Sequence, residues 1–328
     1  MQFKSINILV TFASKTILLL KKTIHITVWF YLLLMGFGPS LAFAHSLPKH
    51  DHNFEISAAQ KNAIRYLDSI GSLEKNELWP NIKPAQYFEN IKRNVLDPKT
   101  IYPGNGTNFC GYGALTYLFL IDDPLGYAHA LIQLYKEGHT KVGKVYFRPS
   151  ASIRKQAGLL KYKGILDIHP AEQLWFLCLA DHFKGYLNLF NHHYDPGDED
   201  SFWASVNYAK FNRMVRAMLR YNIKCRGADL LRPAIADLYE YLSEHLTKGP
   251  VVLYINNRMV HKKNHVRIKL GIPTHFVVAE SIIKMDNIIT LIYWDNGGRT
   301  LIQLSPGFLK RIVFGITTCT QINKNETE

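Results

Sequence analysis

The sequence predicts an α+β protein in which helices come first and antiparallel strands follow. Helix signals extend to Leu246 and include a cap followed by proline at Asp123-Pro124. From Gly249 the chain changes to short β-branched and apolar runs, which are split by turns such as Asp286-Asn287 and Asn296-Gly297-Gly298. Helices and strands that are segregated along the chain in this way are typical of the α+β class.

The individual elements are predicted from start and stop signals and from apolar spacing. Ser57 can cap a first helix that Gly71 ends, and Gly138 can end the helix that begins at Asp123-Pro124. The further predicted helices are Pro84–Leu96, a helix that starts at Cys110, Ser150–Leu160, Pro170–Phe190, Ser201–Leu219 and Ala228–Leu246. The predicted strands are Lys144–Arg148, Pro250–Ile255, His275–Ile283, Ile288–Asp295, Thr300–Leu304 and Ile312–Thr320.

Residues 1–44 have the pattern of a targeting segment. The basic residues of this segment end at Lys22, residues 23–44 are uncharged and mostly apolar, and the segment closes with Ala42-Phe43-Ala44. This pattern predicts a signal peptide that is cleaved before His45, and hence an exported protein, periplasmic or secreted. The alternative is an uncleaved membrane anchor, because residues 24–44 are long enough to span a bilayer.

Beyond this segment we expect residues 45–97 to form an N-terminal helical leader region and residues 98–328 to form the main domain. The main domain divides into a helical lobe at 98–248 and a β lobe at 249–322. The formal net charge is +13, of which residues 1–44 contribute +4 and the remainder +9. Because these charges are scattered and no nucleic-acid-binding motif is present, we expect attraction to an anionic envelope or membrane surface, and no nucleic-acid partner. The sequence does not predict the oligomeric state.

A loop of small and amide residues, Gly104–Asn108, leads to Cys110, and a buried apolar run, Ala114–Ile121, follows directly. This arrangement predicts a thiol at the first turn of an inner helix. Backbone N–H groups at a helix start favour negative charge, so a thiol at this position can ionise readily. The glycines around it would let a substrate approach the sulfur.

Two later strands each carry a polar residue at a boundary. His275 begins one predicted strand and Asp295 ends the next, so a hairpin can place them side by side. A thiolate, a histidine that exchanges its proton and a carboxylate that orients the histidine together make a nucleophilic site. Asn296 is an alternative to Asp295, because an amide oxygen can also accept the imidazole N–H. The backbone N–H of Cys110 and an amide from Asn105 or Asn108 would form the oxyanion hole.

Each of these residues also has an ordinary structural reading. A cysteine before an apolar helix is often a small core residue, His275 could be a hydrogen-bonded strand histidine, and Asp295 could be a turn residue. Their common order and boundary positions favour the catalytic interpretation. The other cysteines are poorer nucleophile candidates, and Cys178–Cys225 is the pair that we expect if a disulfide forms.

The segment Asn108–Leu115 resembles the Cys-Gly-x-x-Ala/Ser-Leu helix start of papain-like cysteine peptidases, and in particular of the bacteriocin-processing, double-glycine-cleaving branch. His275-Phe276-Val277-Val278 and the later Trp294-Asp295 are similar to the histidine strand and aspartate of that branch. The resemblance covers short motifs. It implies that residues 98–328 form a papain-like catalytic domain, with the cysteine on a helical lobe packed on an antiparallel sheet lobe that carries histidine and aspartate.

The sequence departs from that pattern at two places. The glutamine that the family places about six residues before the cysteine falls on Gly104, with Asn105 next to it. Cys110 and His275 are 165 residues apart, which implies several inserted helices.

The functional hypothesis from these residues is an exported cysteine-nucleophile hydrolase that cleaves an amide bond in a peptide, an isopeptide or a cell-wall stem peptide. Its partner would be a peptide or protein substrate, and no cofactor or metal is predicted. The alternatives are a deamidase or acyltransferase effector with the same fold, and a secreted binding module without activity. A transglutaminase-like site ranks lower, because its histidine follows the cysteine more closely.

Overall fold

The structure is a computed structural model that describes residues 56–104, 106–162, 166–183, 197, 199, 204–257 and 271–322. All of them belong to one compact unit, Ile56–Glu328. The predicted targeting segment, its cleavage point and residues 45–55 of the predicted leader region lie outside the described residues. In the part of the chain that is described, no helix is long and apolar enough to cross a membrane.

The predicted α+β class is confirmed, because helices pack around an antiparallel sheet of six strands. The strands of this sheet are β5 (Tyr221–Gly227), β6 (Val251–Ile255), β7 (His275–Met285), β8 (Ile288–Asp295), β9 (Gly298–Leu304) and β10 (Val313–Gln321). Their order across the sheet is β5-β10-β6-β7-β8-β9, so the C-terminal strand lies between β5 and β6. Two small hairpins also occur, formed by β1 (Thr140–Val142) with β2 (Val145–Phe147) and by β3 (Lys161–Tyr162) with β4 (Leu166–Asp167).

The helices that precede and follow these strands are α1 (Ala58–Ile70), α2 (Pro84–Leu96), α3 (Cys110–Asp122), α4 (Pro124–Glu137), α5 (Ala151–Gln156), α6 (Pro170–Phe183), α7 (Tyr208–Met218), α8 (Leu238–Leu246) and α9 (Pro306–Ile312). A 3₁₀ turn, Pro98–Thr100, joins α2 to the loop before α3. Ser57 caps α1 with a capping box, as its sequence predicts, and Asp123 caps α4.

Two hydrophobic cores lie on opposite faces of the sheet. On one face, Tyr254, Phe276 and Trp294 pack into the larger core with α1 to α7. On the other face, Leu253 and Tyr293 join the core formed with α8 and α9. Because alternate residues of a strand point to opposite faces, neighbouring residues of β6 to β8 serve different cores, and β6 is apolar throughout.

The later strands agree closely with their predicted bounds, whereas the region between α7 and β6 does not. Tyr221–Gly227 was not predicted as a strand, although Tyr221, Ile223 and Cys225 alternate with exposed residues along it. The predicted helix Ala228–Leu246 is wrong in its first half, since α8 begins at Leu238 after an Asp237 cap. Pro233 lies in the irregular segment before it, where a helix would lose a backbone hydrogen bond.

Candidate active site

Cys110 is the first residue of α3, the helix at the centre of the larger core. Residues Gly111 to Leu120 of this helix are all buried, whereas Cys110 is only partly buried. No side chain caps the helix, because Phe109 occupies the cap position. The Cys110 N–H is therefore among the N–H groups that have no acceptor within the helix.

Two glycines let α3 lie directly against the strands that carry the other candidate residues. A Cβ atom at Gly111 would lie 3.3 Å from Cδ2 of Phe276, the residue after His275. A Cβ atom at Gly113 would lie 3.2 Å from Cη2 of Trp294, the residue before Asp295. The sequence interpretation assigned these glycines to substrate approach, but the structure uses them for close packing of helix on sheet.

His275 and Asp295 lie at the same end of the sheet, because β7 begins at His275 and β8 ends at Asp295. The two strands pair antiparallel, with Val278 opposite Trp294. Continuing this register places Asp295 opposite Val277, two residues from His275 on the same side of the strand.

A tight turn fixes the end of β8. Asp295 pairs with Gly298 of β9, and the two residues between them, Asn296 and Gly297, have φ values of 41° and 84°. Positive φ at both central positions is what a two-residue type I′ hairpin requires, and Asn-Gly is the sequence that favours it. Asn296, the alternative orienting residue, is therefore a turn residue, and Asp295 is the residue that contacts the histidine.

The histidine is held between the carboxylate and the thiol. His275 Nε2 lies 2.5 Å from Asp295 Oδ1, and the Cys110 thiol lies close enough to the imidazole to help raise its pKa. Since Nε2 is taken by Asp295, Nδ1 is the ring nitrogen that remains for the sulfur. The His275 and Asp295 side chains are only 8% and 12% exposed. The structure thus brings the three predicted residues into one connected group.

The electrostatics of this group favour a charged imidazole. Burial lowers the pKa of His275, but the hydrogen bonds to Asp295 and Cys110 outweigh that effect and raise the pKa to about 10. At neutral pH the ring is therefore an imidazolium, which donates one N–H to the carboxylate and the other toward the sulfur.

Trp294 is a site residue whose position the sequence did not reveal. Its indole Nε1 donates a hydrogen bond to the backbone oxygen of Lys99 at 3.1 Å, and its ring stacks on Tyr117 of α3 with centroids 5.1 Å apart. Tyr117 in turn contacts Glu280, which forms an ion pair with Arg299 at 2.7 Å. The residue next to Asp295 is thus anchored to the 3₁₀ turn and to the cysteine helix. The sequence signal that could have identified Trp294 is an aromatic residue directly before the polar residue that ends the strand.

Of the predicted oxyanion-hole residues, Asn105 lies outside the described residues. Asn108 is described, and its backbone N–H donates to the carbonyl oxygen of Glu199 at 2.7 Å. That N–H is therefore engaged within the protein. The Cys110 N–H is the predicted donor whose position at the helix start leaves it available for a ligand.

All four cysteines are free, so the expected Cys178–Cys225 disulfide is a wrong prediction. Cys178 is buried within α6, and the Cys225 sulfur accepts a hydrogen bond from Arg216 at 3.4 Å. Burial raises the pKa of Cys178 and Cys225, and it raises that of Cys319 to about 12. These three thiols are therefore poor nucleophiles at neutral pH.

Among the described residues, no group of three or more His, Cys, Asp or Glu side chains is arranged to hold a metal ion. No protein-family model matches the chain, and no curated protein matches it significantly in sequence.

Proposed function

We propose that this protein is a hydrolase that cleaves amide bonds with Cys110 as nucleophile, His275 as proton carrier and Asp295 as orienting carboxylate. The observation that supports this best is the hydrogen bond between Asp295 and His275 beside the Cys110 thiol, which stands at a helix start and helps to raise the pKa of the imidazole. A buried strand histidine with a purely structural role would need one partner. This histidine has a carboxylate on one side and a thiol on the other.

The reaction would proceed in two steps. The Cys110 sulfur attacks the amide carbonyl, and the resulting oxyanion accepts a hydrogen bond from the Cys110 N–H. His275 gives its proton to the leaving amine, the C–N bond breaks, and a thioester joins Cys110 to the acyl group. The neutral imidazole then takes a proton from water, and the hydroxide adds to the thioester. The C–S bond breaks, and the acid and the thiolate–imidazolium pair are released.

The wider architecture supports a papain-like arrangement. The cysteine begins a central helix, that helix packs on the sheet through Gly111 and Gly113, and the histidine and aspartate come from adjacent strands of that sheet. This agrees with what the short motifs around Cys110 and His275 imply. We propose on the same basis that the substrate is a peptide or protein, and that the chain acts after export, in the periplasm or outside the cell.

Alkylation of the native protein by iodoacetamide tests the proposal. At neutral pH, peptide mass spectrometry should find Cys110 modified first, and the three other thiols serve as internal controls because burial disfavours their ionised forms. In the His275→Ala variant, Cys110 should no longer be alkylated faster than the three other thiols. In parallel, a library of fluorogenic peptides should be cleaved by the wild type and not by Cys110→Ala.

Two results would overturn the proposal. One is a Cys110 that is alkylated no faster than a free cysteine in an unfolded peptide. The other is alkylation whose rate does not change in His275→Ala while circular dichroism shows that the variant is folded.

A further inference from the structure

A turn after β5 presents two leucines to solvent. Leu230 is 75% exposed and Leu231 is 72% exposed, and both belong to the connection between β5 and α8. Exposure of single apolar side chains is common, but two adjacent leucines that both project outward form a small apolar patch on the surface.

Hydrogen bonds anchor the backbone of this turn to the rest of the fold. The Ala228 N–H donates to the carbonyl oxygens of Leu231 and Phe314 at 2.9 and 3.1 Å. The Asp229 carboxylate accepts the backbone N–H of Tyr208, the first residue of α7, at 2.9 Å. The turn is thus held to the sheet and to α7, and the outward position of the leucines is a property of the fold.

Exposed basic residues surround this turn. Arg226 precedes it on β5, and Arg232 follows it and donates from Nε to the backbone oxygen of Arg311 at 2.9 Å. Lys310, the neighbour of Arg311 on α9, donates to the carbonyl oxygen of Ala236. These contacts bring Arg232, Lys310 and Arg311 together, and Arg226 is exposed two residues before the turn.

Two carboxylates of the same stretch, Asp229 and Asp237, offset part of this charge, so these six charged residues carry a net charge of +2 (four cations minus two anions). Asp229 accepts a backbone N–H from Tyr208, and Asp237 caps α8 by accepting the N–H of Glu240 at 3.1 Å. We define the basic dileucine surface by its leucines and its cations, which are Leu230, Leu231, Arg226, Arg232, Lys310 and Arg311.

We propose that the basic dileucine surface docks on an anionic lipid bilayer. Each basic side chain near a negatively charged leaflet contributes about 1 kcal/mol of attraction, and apolar side chains that enter the acyl boundary add to it. Projecting leucines suit a fluid apolar phase, because insertion into lipid needs no shaped pocket. The absence of aromatic side chains among the six residues argues against a platform for stacking nucleic-acid bases.

The test uses the full chain and follows amide hydrogen exchange of residues 228–232 by mass spectrometry. Because the apolar residues 23–44 could by themselves carry the chain to vesicles, protection of this local peptide is the readout and total binding is not. Vesicles of phosphatidylcholine with phosphatidylglycerol should slow the exchange, and 0.5 M NaCl should weaken the effect because charges are then strongly screened. Vesicles of phosphatidylcholine alone should give little protection.

The variant Leu230→Ser/Leu231→Ser should raise the lipid concentration for half-maximal protection about thirtyfold, which corresponds to ~2 kcal/mol of lost apolar insertion. The matched control is Ile283→Ser/Met285→Ser, which removes two other exposed apolar side chains, 54% and 74% exposed, at the β7–β8 hairpin. The control should bind as the wild type does.

Four outcomes would overturn the proposal. They are unchanged exchange with anionic vesicles, equal protection by neutral vesicles, equal protection by an RNA oligonucleotide, and protection that rises with protein concentration when no lipid is present. None of them bears on the triad chemistry, which the alkylation experiment tests separately.

Discussion

Asp295 Oδ1 lies 2.5 Å from His275 Nε2, and this contact joins the end of β8 to the beginning of β7. It orients the imidazole so that Nδ1 is directed to the thiol, and it contributes to the raised pKa of the ring. In the proposed mechanism the carboxylate therefore sets both the geometry and the charge of the proton carrier.

Replacing Asp295 by Asn should move the alkaline limb of the pH profile to lower pH. In the wild type, the pKa of His275 is raised from 6.5 to about 10, so the imidazolium persists until the pH rises through that value. Without the carboxylate, burial lowers the pKa with less opposition. We expect the rate of peptide cleavage at neutral pH to fall by about 10³-fold or more.

The measurement is the pH dependence of Cys110 alkylation from pH 5 to 11. Asp286→Asn is the control, because Asp286 is an exposed turn residue with φ of 52° that Asn also adopts readily. An Asp295→Asn profile that matches that of the wild type would mean that the carboxylate does not control the ring. The same raised pKa stabilises the folded state fully below pH 6.5, and this contribution is lost as the pH rises through about 10.

Gly111→Ala should reduce activity and stability together. The new methyl group would lie 3.1 Å from Val206 Cβ and 3.3 Å from Phe276 Cδ2, so these side chains, or α3 itself, must shift by a few tenths of an ångström beside His275. Overpacking of this kind typically destabilises by about 1–3 kcal/mol. Gly307→Ala on α9 is the matched helical control, because nothing lies within 4 Å of its Cβ position.

Urea denaturation and peptide cleavage would check this pair of variants. Gly307→Ala should be neutral, or should stabilise by up to about 1 kcal/mol. If Gly111→Ala is as stable and active as Gly307→Ala, the close approach of α3 to β7 does not matter for the site.

Trp294→Phe should lower the cleavage rate more than its loss of stability explains. The substitution removes the hydrogen bond to the Lys99 carbonyl oxygen and so loosens the residue next to Asp295. Trp175→Phe is the matched control, since it removes the bond from Nε1 to Thr116 Oγ1 at 3.0 Å in the helical core. Each variant should lose about 1 kcal/mol of stability.

Only Trp294→Phe should also reduce kcat/KM, by roughly tenfold to a hundredfold, because small misplacements of a reacting group are costly. Steady-state kinetics with the best fluorogenic peptide would measure this difference. Equal kinetic effects of both substitutions would assign Trp294 a purely structural role.

Glu172→Gln should stabilise the protein at and above neutral pH. Glu172 of α6 is fully buried, burial raises its pKa to about 7, and the nearby Arg93, 3.6 Å away, only partly opposes this shift. Neither carboxylate oxygen has a geometrically sound hydrogen-bond partner in the described part of the chain. A buried carboxyl with such surroundings prefers to keep its proton.

The direction of the pH dependence follows because the pKa of Glu172 is about 7 in the folded protein and 4.5 in its ordinary state. Below pH 4.5 the carboxyl is protonated in both the folded and the unfolded state, so its titration takes no stability from the folded protein. As the pH rises from 4.5 through about 7, the unfolded chain gives up the proton more readily, so the folded state loses stability on the order of 3 kcal/mol. Urea denaturation at pH 4.5, 6, 7 and 8 should show this slope in the wild type and a weaker slope in the variant. Equal slopes in the wild type and in Glu172→Gln would contradict the prediction that ionisation of buried Glu172 destabilises the fold.

The sequence pointed to Cys110, His275 and Asp295 as candidate site residues because each stands at the boundary of an element with a strong local signal. The apolar run after Cys110 and the β-branched runs around His275 and Asp295 specify helix and strand by composition alone. The hairpin then follows from the short turn Asp286-Asn287 between β7 and β8, since adjacent antiparallel strands need only a tight connection.

The features of the fold that the sequence did not predict depend on contacts between distant parts of the chain. The packing role of Gly111 could not be read from the sequence, because it is set by Phe276, a residue 165 positions away. The strand β5 was hidden because its exposed side carries Asn222, Lys224 and Arg226, which lower its apolar content. The place of β10 between β5 and β6 could not be predicted from chain order, which would have favoured an edge position.

The position of β10 has a consequence for how the candidate site is assembled during synthesis. In a chain that is still emerging from the ribosome, β5 and β6 have no strand between them until residues 313–321 appear. The nascent polypeptide would therefore carry a thiol without a properly seated base. A chain truncated before β10 should fail to assemble the sheet, so the proposed activity would require residues 313–321.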